Sequence, residues 1–560
     1  MALVSPHVRG DQQRPRTWAW WLGLALLLGA ALRLVGIGQL SISHYDEGVY
    51  ALSAQGLAYP GGEYFAPPLF PLALRPVALL WPWQDTPLFL VNAFLGVVGI
   101  ALAALVAVGV SRCAALIAAA LVACSGWHVV YSRSVLTDVL FADCVLLSVA
   151  ATARLLAAET SDAGAQRWRW AAVLGVALLG AWYTKYATPV LVAGILSGTV
   201  AVLAASGSEW RCRVTGGLLV FLAVAVSFAG YIPWVAHVQR TIGYENLLTH
   251  HRGYVLGWSA WFSNIREYAR YARALLPQLS AVGVGVVLVA SLTGGLCRNT
   301  PAISRLLCLL AFGAAGMLAG DVVWPVVGLM GSGIGRPRGR LAFPTFGVTT
   351  GVLACFFFVT PLYRPYPRLA IPTILLGCVA IAVLLDGVLT RSRGHKIAVT
   401  AGTMSSVAAL AIFGVVELSP PPEISNPPQG AAPLEEAVRE LAAAASGEHT
   451  VYVYARPCVT FYLVPRMAVQ LLGEPSAVRQ ALRTAAPLIV DTALLLDNPP
   501  VAELFERDSC QPAGIWPYCP SLPTRLNDWH HRRLPVAGDW PYWLWLFRED
   551  GGAAAQLYGP

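Results

Sequence analysis

The sequence predicts an α-helical polytopic membrane protein of about 13 transmembrane helices, followed by a small C-terminal α/β soluble domain. Three observations lead there. Only 12% of the 560 residues are charged, against about 25% in ordinary soluble domains, and mean hydropathy is +0.60. The apolar residues gather in blocks near the roughly 20 residues that cross a bilayer, at 17–37, 88–110, 170–183, 187–205, 214–236, 277–296, 342–360, 370–388 and 397–416. One or two such blocks could be buried core helices, but this many need lipid. Past the Pro-rich run at 419–423, the pattern changes to amphipathic and strand-like segments.

The N-terminus is polar and basic (Arg9, Arg14, Arg16), and the apolar run after it is too long for a signal-peptide core. It reads as a retained first helix that starts in the cytoplasm. From there Arg112, Arg167, Arg169, Arg211, Arg213, Arg298 and Arg305 all fall in inner loops, as the positive-inside bias requires. A single span over 304–340 would place Arg336, Arg338 and Arg340 outside, and with them Arg391, Arg393 and Lys396. A hairpin with Asp321 at its outer tip, its spans near 304–320 and 322–335, returns both clusters to the cytoplasm. The tail is then outside, with a transmembrane domain at 1–418 and an extracytoplasmic domain at 419–560. The net charge of +8 is accounted for by these loops and implies no nucleic-acid partner.

Within the tail, 434–445 has a helical pattern, and 450–454 and 487–491 read as strands. No Gly-rich nucleotide-binding pattern accompanies them. Cysteines in or beside spans, such as Cys113, Cys124 and Cys144, read as small packing residues. Cys458, Cys510 and Cys519 leave room for one disulfide if the tail is outside, with Cys510–Cys519 the first guess. No zinc-type spacing is present.

The informative charges sit at outer helix ends. His44-Tyr45-Asp46-Glu47-Gly48 places two adjacent acids just past the first span, followed by the aromatic and Pro-rich run from Tyr64 to Pro71. A solvated loop pair is the plain alternative. Ser132-Arg133-Ser134-Val135-Leu136-Thr137-Asp138 sets an acid at the mouth of the fourth span. It is either a first-turn carboxylate favoured by the helix dipole or a functional acid, and Arg133 is its local partner by sequence. Lys185, in Thr184-Lys185-Tyr186, and Arg364 and Arg368, in Tyr363–Pro372, are cations on the side the inner-loop bias disfavours. They either snorkel to lipid phosphate or hold a phosphorylated ligand. The long outer loop at 237–276 mixes aromatics, arginines and His250-His251, as an interfacial helix would. Acids for base chemistry and cations for phosphate thus share the outer face, where a lipid-linked phosphate would need no nucleotide.

These motifs resemble the GT-C class of membrane glycosyltransferases, most of all the protein mannosyltransferase and aminoarabinose transferase group, glycosyltransferase families 39 and 83. Asp46-Glu47 is similar to the family's first-loop acidic pair, and Tyr64–Pro71 to the Pro-Pro-Leu-aromatic segment after it. The stretch ending at Asp138 resembles the second-loop signature, Thr184-Lys185-Tyr186 a Thr-Lys turn, and Tyr366–Pro372 the late Arg-Leu-Pro type motif. Ala66 and Pro67 depart from the His or Glu-Lys that some relatives carry there, which weakens the aminoarabinose reaction specifically.

The resemblance implies a GT-C type fold and an inverting transfer of sugar from a polyprenyl-phosphate donor to a lipid, glycan or protein acceptor. Asp46 would be the general base, with Glu47 orienting Asp46, Arg133 or a metal, and Asp138 positioning the acceptor or helping to bind a divalent ion. Lys185, Arg364, Arg368 and Arg133 would hold the donor phosphate, and His44, Tyr45, Tyr64 and Tyr366 would contact substrate. Asp46 and Asp138 are candidate ligands for a divalent ion (Mg, Mn or Zn). The expected setting is the bacterial inner membrane, with the site and the C-terminal domain on the periplasmic face. A transporter or flippase of lipid-linked or anionic substrate is the alternative. It would show broken helices and acids inside the spans, and Asp143 is one such acid.

Overall fold

A computed structural model describes residues 15–57, 67–157, 163–207, 210–275, 323–331, 341–390, 430–445, 450–483, 487–495, 498–507, 512–532 and 541–547, with 279, 282, 321 and 428 singly. The chain divides into two compact units. One comprises Met1–Val35, Ala93–Val130 and Asp138–Pro421; the other comprises Gly36–Asn92, Tyr131–Thr137 and Pro422–Pro560.

The first unit is helical. Among the described residues of the whole chain, six helices are long and apolar enough to cross a membrane: Trp18–Gln39, Thr86–Ala107, Asp138–Ala157, Arg213–Thr241, Ala342–Leu362 and Pro367–Asp386. The chain is a multi-pass membrane protein. Apart from 279 and 282, the blocks at 277–296, 304–320 and 397–416, with Arg298, Arg305, Arg336, Arg338, Arg340, Arg391, Arg393 and Lys396, lie outside the described residues. The count of about 13 spans therefore remains an expectation of the sequence.

Small residues explain how these helices pack without a hydrophobic drive between them. Gly194 and Gly198 on Thr188–Ala204 face Gly351 and Val352 on Ala342–Val359. A Cβ on Gly351 would stand 2.7 Å from the Gly198 Cα, and one on Gly194 2.7 Å from the Val352 Cα. Both helices carry glycines four apart, Gly194/Gly198 and Gly347/Gly351, which lets backbones meet face to face.

The apolar stretch after Arg112 is broken into two helices, Arg112–Ala123 and Gly126–Tyr131. Buried charges cap the break from both sides. Arg33 donates to the Val122 and Ala123 carbonyls at 3.3 and 3.2 Å. Asp321, expected at an outer hairpin tip, is buried and accepts from Ser125 Oγ at 2.7 Å and Trp127 N at 3.0 Å. Each ion meets the end of the helix dipole that favours it.

The second unit is built on a six-stranded sheet: β1 (Ala432–Pro433), β2 (Val451–Tyr454), β3 (Val469–Leu471), β4 (Leu488–Asp491), β5 (Gly514–Cys519) and β6 (Trp543–Phe547), in the order β1-β5-β6-β4-β2-β3. β2 runs parallel to β3 and β4, while β6 is antiparallel to β4 and β5. The strands expected at 450–454 and 487–491 are β2 and β4, and the helix expected at 434–445 is Leu434–Ala444. Val478, Val490, Val501, Leu504 and Phe505 form a core on one sheet face. Helix Tyr45–Ala54 belongs to this unit and packs on helix Pro457–Leu463.

Candidate active site

The acid pair begins a helix. His44 is the N-cap of Tyr45–Ala54; its Nδ1 accepts from Asp46 N at 3.0 Å, which places its proton on Nε2. Glu47 is 1% exposed. Its carboxylate accepts from Ser43 N at 3.0 Å, His44 N at 2.9 Å and Val135 N at 2.9 Å, the last from the second signature. Burial raises the Glu47 pKa above the ordinary carboxylate range, and these three amides restrain the rise. The two adjacent acids thus differ in setting. Glu47 is a structural anchor, while Asp46 and Tyr45 stay partly exposed.

Gly48 explains itself by close approach: a Cβ there would lie 2.1 Å from Cys458 N. Arg133 is half-buried, with a guanidinium nitrogen 3.7 Å from the position a Cβ would take on Gly36, whose φ of +68° suits glycine. Burial lowers the Arg133 pKa. Tyr64 and Ala66 lie outside the described residues, as does Cys510 and with it the Cys510–Cys519 pairing.

The cations occupy the helical unit. Asp138 opens helix Asp138–Ala157, where the dipole favours a carboxylate. Its ion-pair partner is Lys185, 47 residues away in the Thr-Lys turn. Asp138 is 2% exposed and Lys185 19%. The turn itself is held by Thr184 Oγ1, which donates to Gly180 O at 2.6 Å, and by Tyr183 OH, which donates to Gly230 O at 3.0 Å.

The next residue, Tyr186, packs edge-on against His251 at 5.1 Å between centroids. His251 Nδ1 lies 3.0 Å from Tyr363 OH. Tyr254 stacks on Tyr363 at 5.8 Å and meets Tyr366 at 6.1 Å. Arg364 lies over the Tyr254 ring at 5.3 Å and Arg368 over Tyr366 at 5.6 Å.

Backbone bonds fix this shelf. Arg364 N donates to Tyr254 O at 2.8 Å, Leu256 N to Leu362 O at 2.8 Å, and Asn264 Nδ2 to Pro361 O at 2.8 Å and Tyr363 O at 3.1 Å. Trp127 Nε1 donates to Pro367 O at 2.8 Å. Burial lowers the His251 pKa to about 4, so the ring is neutral at neutral pH. Burial raises Tyr366 to about 12 and Tyr363 higher still, which keeps both phenols protonated as donors.

The structure brings together Asp138 with Lys185, and Arg364 and Arg368 with Tyr366. Sequence reasoning missed His251, Tyr254 and Tyr363 as one group, and Gly48 as a close-approach glycine. The aromatic density of 237–276 and of Tyr363–Tyr366 was the available signal. The His250-His251 pair is no shared metal site, because the rings stand 5.6 Å apart at 77° and His251 is engaged with Tyr363.

Asp46 and Asp138 were candidate ligands for a divalent ion. Among the described residues no group of three or more His, Cys, Asp or Glu gathers to hold one, and Asp138 is committed to Lys185. Asp46 and Asp138 therefore belong to no such group among the described residues, and no step below passes through a metal.

Apolar helices joined to a sheet unit define a fold of the GT-C type, which a solved structure shares. No family model matches the chain, and no curated protein matches it. Among solved structures, ArnT from Cupriavidus metallidurans bound to undecaprenyl phosphate shares the fold. The TM-score is 0.52 at 14% identity, over 97% of this chain and 99% of that one. The apo form of the same ArnT matches at TM-score 0.45 and 17% identity, over 86% and 95% of the two chains. An Archaeoglobus fulgidus oligosaccharyltransferase, tethered to an acceptor peptide with the NVT sequon, matches at 0.46 and 11% identity, over 86% and 70%.

Proposed function

We propose that this chain is an inverting glycosyltransferase that moves a sugar from a polyprenyl-phosphate donor to a lipid, glycan or protein acceptor. Its setting is the bacterial inner membrane, with the site and residues 419–560 on the periplasmic face. The observation that carries this reading is the arginine pair Arg364 and Arg368 on its aromatic shelf, in a fold shared with a transferase whose structure holds undecaprenyl phosphate.

In this reading the acceptor hydroxyl attacks the anomeric carbon, the bond from that carbon to the phosphate oxygen breaks, and the acceptor proton passes to Asp46. Partly exposed Asp46 is suited to that proton, whereas buried Glu47 holds the loop. Arg364 and Arg368, with Lys185 and Arg133 as further cations, receive the charge that builds on the departing lipid phosphate. His44, Tyr45, Tyr64 and Tyr366 contact substrate, and Asp138 sets Lys185.

The test is purified full-length protein in detergent with a panel of polyprenyl-phosphate sugars, with and without chelator, following release of polyprenyl phosphate. Asp46→Asn is expected to lower turnover about 10²–10⁴-fold; near-wild-type turnover would remove its role as base.

A second reading, transport or flipping of a lipid-linked substrate, is favoured by one observation: the helix broken at Cys124-Ser125 with Arg33 and Asp321 at the break. Movement of intact labelled donor across proteoliposomes, without cleavage, would select it.

A further inference from the structure

The C-terminal sheet changes winding direction at β2. The chain leaves β2 for β3 on one side and then crosses to β4 on the other. In open sheets of this kind ligands sit outside the carboxyl ends of the strands at that switch. Here those ends are Tyr454 and Asp491, followed by Arg456 and helix Pro457–Leu463. Against that helix lies the chain's own acid segment. The Gly48 backbone abuts Cys458, and Cys458 Sγ contacts Ser43 O at 3.4 Å.

Tyr462 OH accepts from Ile42 N at 2.8 Å and donates to Asp85 Oδ2 at 2.5 Å. Ser43 Oγ is 3.0 Å from both Ser521 Oγ and Thr524 Oγ1, and accepts from Ser521 N at 2.9 Å. The segment just ahead of Asp46 is therefore held by side chains that lie more than 400 residues further along the chain.

We propose that the soluble sheet uses its switch-point crevice as a holder for the Ser41–Glu47 segment, so that Tyr462 and Thr524 are positioning residues for Asp46. Burial of Glu47 fixes the start of the helix from within, and Tyr462 and Thr524 fix its approach from the sheet. The contribution of the tail to the reaction is thus the orientation of one carboxylate. This rests on the transferase reading for its chemical consequence, while the docking itself stands on the contacts above.

The experiment uses the full chain in detergent and compares wild type with Tyr462→Phe, Thr524→Val and Thr524→Ser. Hydrogen exchange at the amides of Ile42 to Glu47 is the readout that needs no activity. Tyr462→Phe and Thr524→Val should speed exchange there and leave β2 and β4 protected, while Thr524→Ser, which keeps the hydroxyl, should match wild type. Unchanged exchange in both disruptive variants overturns the docking. On a donor that wild type turns over, the same two variants should lower kcat about tenfold with donor KM unchanged, and Thr524→Ser should restore it. Faster exchange with unaltered kcat overturns the positioning role. If wild type turns over no donor, the transferase reading fails and the positioning role falls with it, whereas the exchange result still decides the docking.

Discussion

Among the described residues two arginines are fully buried, Arg33 and Arg456, and their surroundings differ. Arg456, in the sheet unit, closes a network: Nε donates to Asp491 Oδ2 at 2.7 Å, an Nη to Asp528 Oδ2 at 3.2 Å, and the other Nη to Tyr518 OH. Tyr518 OH donates on to Asp491 Oδ1 at 2.9 Å, and Tyr542 OH to Asp528 Oδ2 at 3.2 Å. The two carboxylates hold the Arg456 pKa well above its usual value against the pull of burial.

Arg33, in the helical unit, donates instead to the carbonyls of Gly29, Val122 and Ala123, and to His128 Nδ1 at 2.8 Å. Neither oxygen of Asp143, on the helix Asp138–Ala157, has a hydrogen-bond partner among the described residues. A closed network specifies one geometry. An arginine held on helix-end carbonyls does not depend on a hydrogen bond to Asp143.

The contrast can be broken in four ways, from the largest expected effect down. Arg456→Met should cost about 3–5 kcal/mol by leaving two buried carboxylates without their cation. Thermal unfolding of the purified chain reads this out, and a loss under about 1 kcal/mol would mean the network is not closed in solution. Asp528→Asn should cost about 1.5–3 kcal/mol through loss of a charged hydrogen bond, whereas Asp143→Asn should stay within about 1 kcal/mol because it breaks none. Equal losses would erase the distinction.

The Asp138–Lys185 pair should fall between the two arginine settings. A double-mutant cycle with Asp138→Asn and Lys185→Met should return a coupling of roughly 1–3 kcal/mol, and zero coupling would mean the pair is replaced by solvent. The smallest effect is one of pH. Glu47 has an ordinary value of 4.5 and a higher one when folded. Its contribution to stability is complete below the ordinary value and is lost as pH rises through the folded one. The melting temperature should therefore decline as pH rises from 4.5 through the folded value, and Glu47→Gln should flatten the decline.

The helices were legible because each rests on local pattern. The Asp138 helix starts at its acid, and Thr188–Ala204 and Ala342–Val359 match their apolar blocks within a residue or two. In the tail, β2 and β4 and helix Leu434–Ala444 were legible for the same reason. The break at Cys124-Ser125 was not, because a lone glycine such as Gly126 beside it is common within membrane helices. Its cause is two charges brought by other segments, Arg33 and Asp321. Arg133 stood near Asp138 in sequence, but Lys185 is its ion-pair partner, since a helix mouth is reached as readily by a neighbouring turn as by the segment that leads into it.

The sequence by itself determined that this chain inhabits a membrane, which blocks become helices, and which acids and cations sit at helix ends. Apolar periodicity, charge and glycine act over a few residues, so they can be read in line. Tertiary structure alone decided that Glu47 is interior while Asp46 next to it is partly exposed. It also decided that Arg364 and Arg368 lie over the rings of Tyr254 and Tyr366, and that Tyr462 and Thr524 reach the approach to the acid pair. Those outcomes depend on which surfaces meet through space, and packing brings together residues that sequence separation keeps far apart.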